Sequence, residues 1–517
     1  MVSERQAAAE RALREAVRRA PAHAPTAVAL ADLLVERDRA AEAHALLAPF
    51  AGRPEADIFV LTAHANALKA LGRREEALAI YERARAVQPG SAVAEHNLAG
   101  ALGDLQRFAE SEAATRRAFA KGLDAPETWL VRARALQGLG ELDAAERAFA
   151  EAIRRRPDYA DALGDLAQLI WMRTADLAAA ARGLDAAIQA HPGALALRLK
   201  QATLLEYAGD PEAAYRGLAA AARAAPPDWV IEVTAAQLAS GLDPAAAIAH
   251  AERAFAQEPE RQLVLVTLCQ AQLADGRVAA AARIAEAIRA HWPDDQHAIA
   301  LLATAWRLQG DARYGELYDY GRLVGGEPIE APRGWRSLAD YLADLAPALR
   351  RLHRYRTHPL GQSVRGGSQT EQSLALSDDP VIRAFFEAID GPIRRYIAGL
   401  GEGEDPLRRR IAAGYRFGGV WSVLLAPNGF HADHVHPRGW ISSACHIELP
   451  AAVDQGHEGW LKFGEPGVAT APRLGPEHFV KPEPGRLVLF PSYLWHGTAP
   501  FGGDAPRLSV AFDLVPA

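Results

Sequence analysis

Between Gly429 and Trp440 the chain reads GFHADHVHPRGW, placing His431, Asp433, His434 and His436 within six positions. Imidazole and carboxylate are the side chains that hold divalent transition metals. In an extended strand residues i and i+2 share a face. His431 with Asp433 would therefore point one way and His434 with His436 the other. Both pairs can turn inward only across a bulge or a strand end. A further imidazole, His496, follows GRLVLFPSYLW about sixty residues on, and Arg507 comes eleven residues later with Ser509 on its face. A His-x-acid or His-x-His pair, a distant His and an Arg roughly ten residues beyond form the layout of a non-haem Fe(II) site that uses 2-oxoglutarate. Three protein ligands leave positions for a chelating 2-oxo acid and for O2. A guanidinium on the neighbouring strand can fork onto the far carboxylate, with the Ser hydroxyl assisting. Whether His436 or Asp433 completes the triad stays open on spacing alone.

The elements around these residues read as short strands. From about residue 412 the apolar period drops to two in YRFGGVWSVLL, GWISSACHIELP, GWLKFGEP, GRLVLFPSYLWHG and RLSVAFDLVP, separated by Gly, Pro, Asn and Asp. Such a run predicts a compact antiparallel barrel or jelly roll. Two amphipathic helices precede it, in SLADYLADLAPALRRLH and PVIRAFFEAIDGPIRRYIAG. Between them lies the glycine-rich HPLGQSVRGGSQT.

The first three hundred residues are of another kind. Pro21, Pro54, Pro89, Pro157, Pro192, Pro226, Pro259 and Pro293 recur at intervals of about 34 residues, with Ala125 and Pro126 near the midpoint of the one doubled gap. Ala152, Phe149, Ala145, Gly140, Ala133 and Trp129 stand at fixed offsets before Pro157, and Ala84, Tyr81, Ala77, Gly72 and Ala65 repeat them before Pro89. Later units keep the alanines alone. Antiparallel helices approach closely only where side chains are small. The period and the pattern resemble the tetratricopeptide repeat. That resemblance implies an all-α solenoid whose concave surface takes a protein or peptide partner.

Bulk composition narrows the rest. At 517 residues the chain needs two or three domains; the expected limits are a solenoid over 1–310, a connector over 311–335 and the strand-rich domain over 336–517. A formal net charge of −7 and the lack of a dense basic run argue against nucleic acid. Cys269 and Cys445, far apart, make neither a disulfide framework nor a cysteine zinc site. The charged start lacks a signal-peptide core, and no stretch reaches the ~20 apolar residues of a membrane span. A cytoplasmic protein is expected.

Residues 315–517 resemble the 2-oxoglutarate/Fe(II) oxygenases found behind tetratricopeptide repeats in bacteria. The resemblance is carried by the His-x-His-Pro of His434–Pro437, the FPS-x-x-x-His ending at His496, and the loop upstream. It implies a C-terminal double-stranded β-helix with flanking helices. It also implies His434, His436 and His496 as iron ligands, with Arg507 and Ser509 on 2-oxoglutarate. One departure stands out. Where the family has tyrosines, this chain reads Cys445-His446, and His446 is the candidate to touch the co-substrate instead. The expected activity is hydroxylation of a protein or peptide side chain with O2 as co-substrate. The alternatives are a metal cupin independent of 2-oxoglutarate, or a scaffold with a degenerate jelly roll.

Overall fold

The computed structural model describes residues 2–224 and 226–517. Eighteen helices run from Val2 to Gln309. The ladder prolines fall between helix pairs: Pro89 separates Arg74–Val87 from Ala92–Asp104, and Pro293 separates Val278–His291 from Gln296–Gln309. Proline cannot donate to a helical ladder, so a fixed proline period enforces a fixed helix length. Within a pair, Ala133, Ala145, Phe149 and Ala152 are wholly buried, as the small-residue pattern requires. Gly140 turns the chain at φ +77°, a conformation that favours glycine. No helix among the described residues is long and apolar enough to cross a membrane.

Packing divides the chain into two units, one up to Leu166 and one from Ala167 onward. The expected boundary at residue 310 therefore falls inside the second unit. There Ile299, Leu302 and Trp306 of the helix Gln296–Gln309 belong to the same apolar cluster as Phe490 and Trp495.

Nine strands follow: β1 (Gly325–Pro328), β2 (Val364–Gln369), β3 (Tyr415–His431), β4 (Ile441–Glu448), β5 (Leu461–Phe463), β6 (His478–Val480), β7 (Arg486–Pro491), β8 (His496–Thr498) and β9 (Arg507–Pro516). Six form an antiparallel sheet in the order β1-β7-β4-β9-β3-β2, and three form a second sheet, β6-β5-β8. The C-terminal region is thus β-rich, as expected, but neither sheet closes on itself. The strands of the second sheet are three residues long, too short to carry the hydrogen-bond ladder around to the first. The segment read as a connector supplies the edge strand β1. Its glycines serve close approach rather than flexibility, since a Cβ on Gly325 would lie 2.6 Å from the Tyr396 ring.

Alternation gives the large sheet two faces. Leu508, Val510, Phe512 and Cys445 are buried on one, and the helices Leu338–Arg350 and Pro380–Leu400 share their apolar cluster through Tyr341, Leu345, Phe385 and Ile389. Arg507, Ser509 and Asp513 alternate onto the other, beside Ser442 and His446, which pair with Asp513 and Ser509 across β4 and β9. Just beyond the first of these helices, His353 bonds Ser368 Oγ at 2.8 Å and Ser422 Oγ at 3.0 Å, pinning β2 and β3.

Burial holds the His353 imidazole down to about 4, against roughly 6.5 in the unfolded chain. Between those values the unfolded chain takes up a proton that the fold refuses. The stabilisation from this group is therefore complete above about pH 6.5 and falls by up to ~1.4 kcal/mol per pH unit below it. Urea midpoints of wild type and His353→Gln should differ most near pH 7.5 and converge near pH 5 (approximate values set by this window); a pH-independent gap would contradict the assignment.

Candidate metal centre

A strand end separates the two histidine pairs. β3 stops at His431, and the next ladder contact is an isolated bridge between His434 and His496. His434 N–H donates to His496 O at 2.9 Å, and His496 N–H returns to His434 O at 3.1 Å. His436 N–H donates to Ser492 O at 3.0 Å. Backbone pairing thus brings residues sixty positions apart alongside each other before any side chain is placed.

One ring nitrogen from each of His434, His436 and His496 then lies within 4.8 Å of the others. Which nitrogen is free follows from the partners behind. Nδ1 of His434 donates to Ala432 O at 2.8 Å, Nδ1 of His496 to Leu494 O at 2.9 Å, and Nδ1 of His436 to Asp513 Oδ2 at 2.6 Å. Each Nε2 is left with its lone pair toward the centre, and those of His434 and His436 are 3.1 Å apart. Burial, and then the neighbouring His436, push His434 down to about 3. Burial, with His434 and His436 beside it, holds His496 well below its ordinary value. Ring nitrogens at this spacing must share either a proton or a cation. Two nitrogens each about 2.1 Å from one ion stand roughly 3.0–3.4 Å apart, and the 3.1 Å between His434 and His436 falls in that range. Backing of a ring by a carboxylate or carbonyl is the usual arrangement for a ligating histidine.

Asp433 is engaged elsewhere. Its Oδ2 accepts from Lys462 Nζ at 2.7 Å, and the same ammonium reaches Glu465 at 2.5 Å. Burial raises the Asp433 carboxyl to about 6 in spite of Lys462. Gly497 is required beside it, because a Cβ there would meet Asp433 Oδ1 at 2.6 Å. His431 contacts Ser363 Oγ through Nδ1 at 3.0 Å, its ring 6.2 Å from that of His434.

Arg507 is 2% exposed, and among the described residues no carboxylate pairs with it. Its Nη2 donates to His446 Nδ1 at 3.1 Å, while its own Nε and His446 Nε2 have no partner. Burial lowers Arg507 to about 10, which leaves it charged at neutral pH. Burial, followed by Arg507, holds His446 well below its ordinary value. A buried guanidinium is costly to desolvate and is stabilised by an anionic partner. Ser509 is buried next to it.

Sequence reading missed two contributors. Asp513 was legible in principle, since it continues the alternation from Arg507 and Ser509. Ser442, which donates to Asp513 Oδ1 at 2.7 Å, carried no signal of its own.

The fold is a β-rich domain, with a three-histidine cluster that could hold a metal ion, joined to helical repeats, and comparison with known proteins agrees on the two kinds of domain. Residues 419–513 match the family described as "Putative 2OG-Fe(II) oxygenase", and residues 126–169 match the tetratricopeptide repeat. The chain carries a tetratricopeptide region fused to a 2OG-Fe(II) oxygenase domain. Among solved structures, it is similar to a tetratricopeptide repeat protein from Parabacteroides merdae, at 17% identity over 48% of this chain and 98% of that one, with a TM-score of 0.33. It is also similar to MamA from Desulfovibrio magneticus, at 17% identity over 32% and 93%, with a TM-score of 0.28. No curated protein matches the chain.

Metal content after anaerobic loading and desalting checks the donor set. His434→Ala and His496→Ala should lose the ion, and Asp513→Asn should bind it about 10–100-fold more weakly. Asp433→Asn should retain it; loss there would move the site to the other carboxylate-bearing arrangement.

Proposed function

We propose that the protein is a 2-oxoglutarate- and Fe(II)-dependent dioxygenase acting in the cytoplasm, a hydroxylase of a protein or peptide side chain recruited by the repeats. The observation that carries this reading is the pairing of three convergent imidazoles with a buried Arg507 that no carboxylate pairs with among the described residues. A bare metal site needs no such guanidinium; a co-substrate with a distal carboxylate does.

His434, His436 and His496 would hold Fe(II), and Asp513 keeps His436 in the tautomer that presents Nε2. When bound, iron with 2-oxoglutarate and O2 supplies the oxidising power for C–H hydroxylation, with succinate and CO2 released. Arg507 receives the distal carboxylate, and Ser509 lies beside it. His446 accepts from Arg507 through Nδ1, so its Nε2–H is free to donate to the same carboxylate, the task tyrosine performs elsewhere in the family. Burial of these groups excludes water from the charged contacts and strengthens them. The two sheets would represent an opened double-stranded β-helix. The repeats offer the surface for the partner that carries the substrate side chain.

A second reading, a metal site of the cupin kind that acts without 2-oxoglutarate, draws on the absence of a carboxylate from the clustered donors. Three histidines alone suit zinc as well as iron. Arg507 weighs against it.

Succinate formed from 2-oxoglutarate by the anaerobically Fe(II)-loaded protein on exposure to O2 distinguishes the two. Wild type and Asp433→Ala should produce iron-dependent succinate, His434→Ala and His496→Ala none. Arg507→Met should raise the 2-oxoglutarate requirement by at least about tenfold, as loss of a buried charge-assisted pair implies. Metal binding without succinate and without 2-oxoglutarate binding would favour the cupin reading.

A further inference from the structure

Behind each of the three imidazoles stands a contact to a helix of the repeat series, all within the second unit. His496 follows Trp495, whose indole Nε1–H donates to Thr304 Oγ1 at 2.9 Å and whose ring meets His297 edge-on at 5.7 Å. Both partners lie on the helix Gln296–Gln309. Thr304 is 2% exposed and donates its own proton to Ala300 O at 2.8 Å. Its oxygen is therefore held as an acceptor for the indole. His436 precedes Pro437, whose carbonyl accepts the N–H of Gln296, first residue of the same helix, at 3.1 Å. His434 donates to Ala432 O, and Ala432 N–H donates to Ser363 O at 2.8 Å. The loop leading to Ser363 is fastened to two more repeat helices. Arg356 N–H donates to Met172 O at 2.8 Å, Leu360 N–H to Gln168 Oε1 at 3.2 Å, and His358 Nε2–H to Tyr207 O at 2.9 Å.

We propose that the repeat helices Leu195–Tyr207 and Gln296–Gln309, with the Ala167–Thr174 end of the helix before them, are built parts of the metal centre, and that Thr304 is a positioning residue for His496, acting through Trp495. The inference deepens the proposed function and rests only on its three-imidazole metal site, not on the reaction. Coordination requires three nitrogens to converge within a few tenths of an ångström. The sheet alone fixes their backbone on one side, and the helices fix it on the other. The repeats are then as necessary to the ion as the strands are.

The test uses the full-length chain with Co(II) as probe, whose visible ligand-field absorption reports coordination geometry as well as affinity. Thr304→Val keeps the shape and deletes the acceptor; Thr304→Ser keeps the acceptor. Trp495→Phe deletes the donor of the same bond. Thr267→Val is the control, a threonine 1% exposed on the neighbouring helix Gln262–Ala274 that accepts from Gln237 at 3.3 Å. Circular dichroism establishes that each variant is folded. Thr304→Val and Trp495→Phe should each weaken Co(II) binding by about tenfold, as removal of a ligand's supporting partner does, and shift its absorption bands. Thr304→Ser should restore both, and the double variant should lose no more than either single one. Thr267→Val should leave the Co(II) spectrum as in wild type. A wild-type spectrum and affinity in Thr304→Val and Trp495→Phe would overturn this inference alone. Failure of the wild-type chain to bind Co(II) would overturn it together with the metal site.

Discussion

Imidazole nitrogens turned toward one another in a buried space are left unsatisfied unless a cation or a shared proton lies among them. The C-terminal half of the chain is arranged around that constraint. Ala432, Leu494 and Asp513 each take a Nδ1 proton and so leave the opposite nitrogen of each ring bare. The bridge between His434 and His496 sets their backbones side by side. Asp433, the carboxylate nearest in sequence, turns its Oδ2 to Lys462, and Asp513 stands behind His436.

The two architectures in the chain supply different kinds of stiffness. A sheet fixes backbone direction through its ladder, which sets the order of Arg507, Ser509 and Asp513 along one face. A helix pair packed through alanines fixes distance, because side chains that small leave no slack. At the metal centre the two meet in single hydrogen bonds, such as that from Trp495 to Thr304. Packing continuity explains why the compact boundary falls at residue 166 although the repeat period continues well beyond it.

Sequence carried whatever depends on local period. The proline ladder marked each junction between helix pairs, alternation put Arg507 and Ser509 on one face, and amphipathic spacing found the two helices that flank β2. His434, His436 and His496 were readable as a set only with the family pattern beside them, because alternation treats His431 with Asp433 as an equal pair. What decides between the pairs is where β3 ends, which depends on pairing with residues sixty positions away. Thr304 was beyond reach for a related reason, standing 191 residues from Trp495 in a helix that looks like any other repeat. Sheet closure was overestimated because alternation registers that a strand exists and says little about its stopping after three residues. Gly325 and Gly326 were read as a linker because composition does not distinguish a glycine that bends from one that makes room.

An ion held only by imidazoles keeps its whole double charge. Asp513 contributes one negative charge behind His436, and Arg507 contributes one positive charge across the same face, so these two cancel. Electroneutrality in the pocket must come from what enters it. A doubly charged small acid balances the ion in one step, whereas a singly charged one leaves a buried surplus. On the proposed function, compact dianions of other chemistry should compete for this site, and their grip should slacken as one of their acidic groups takes up a proton.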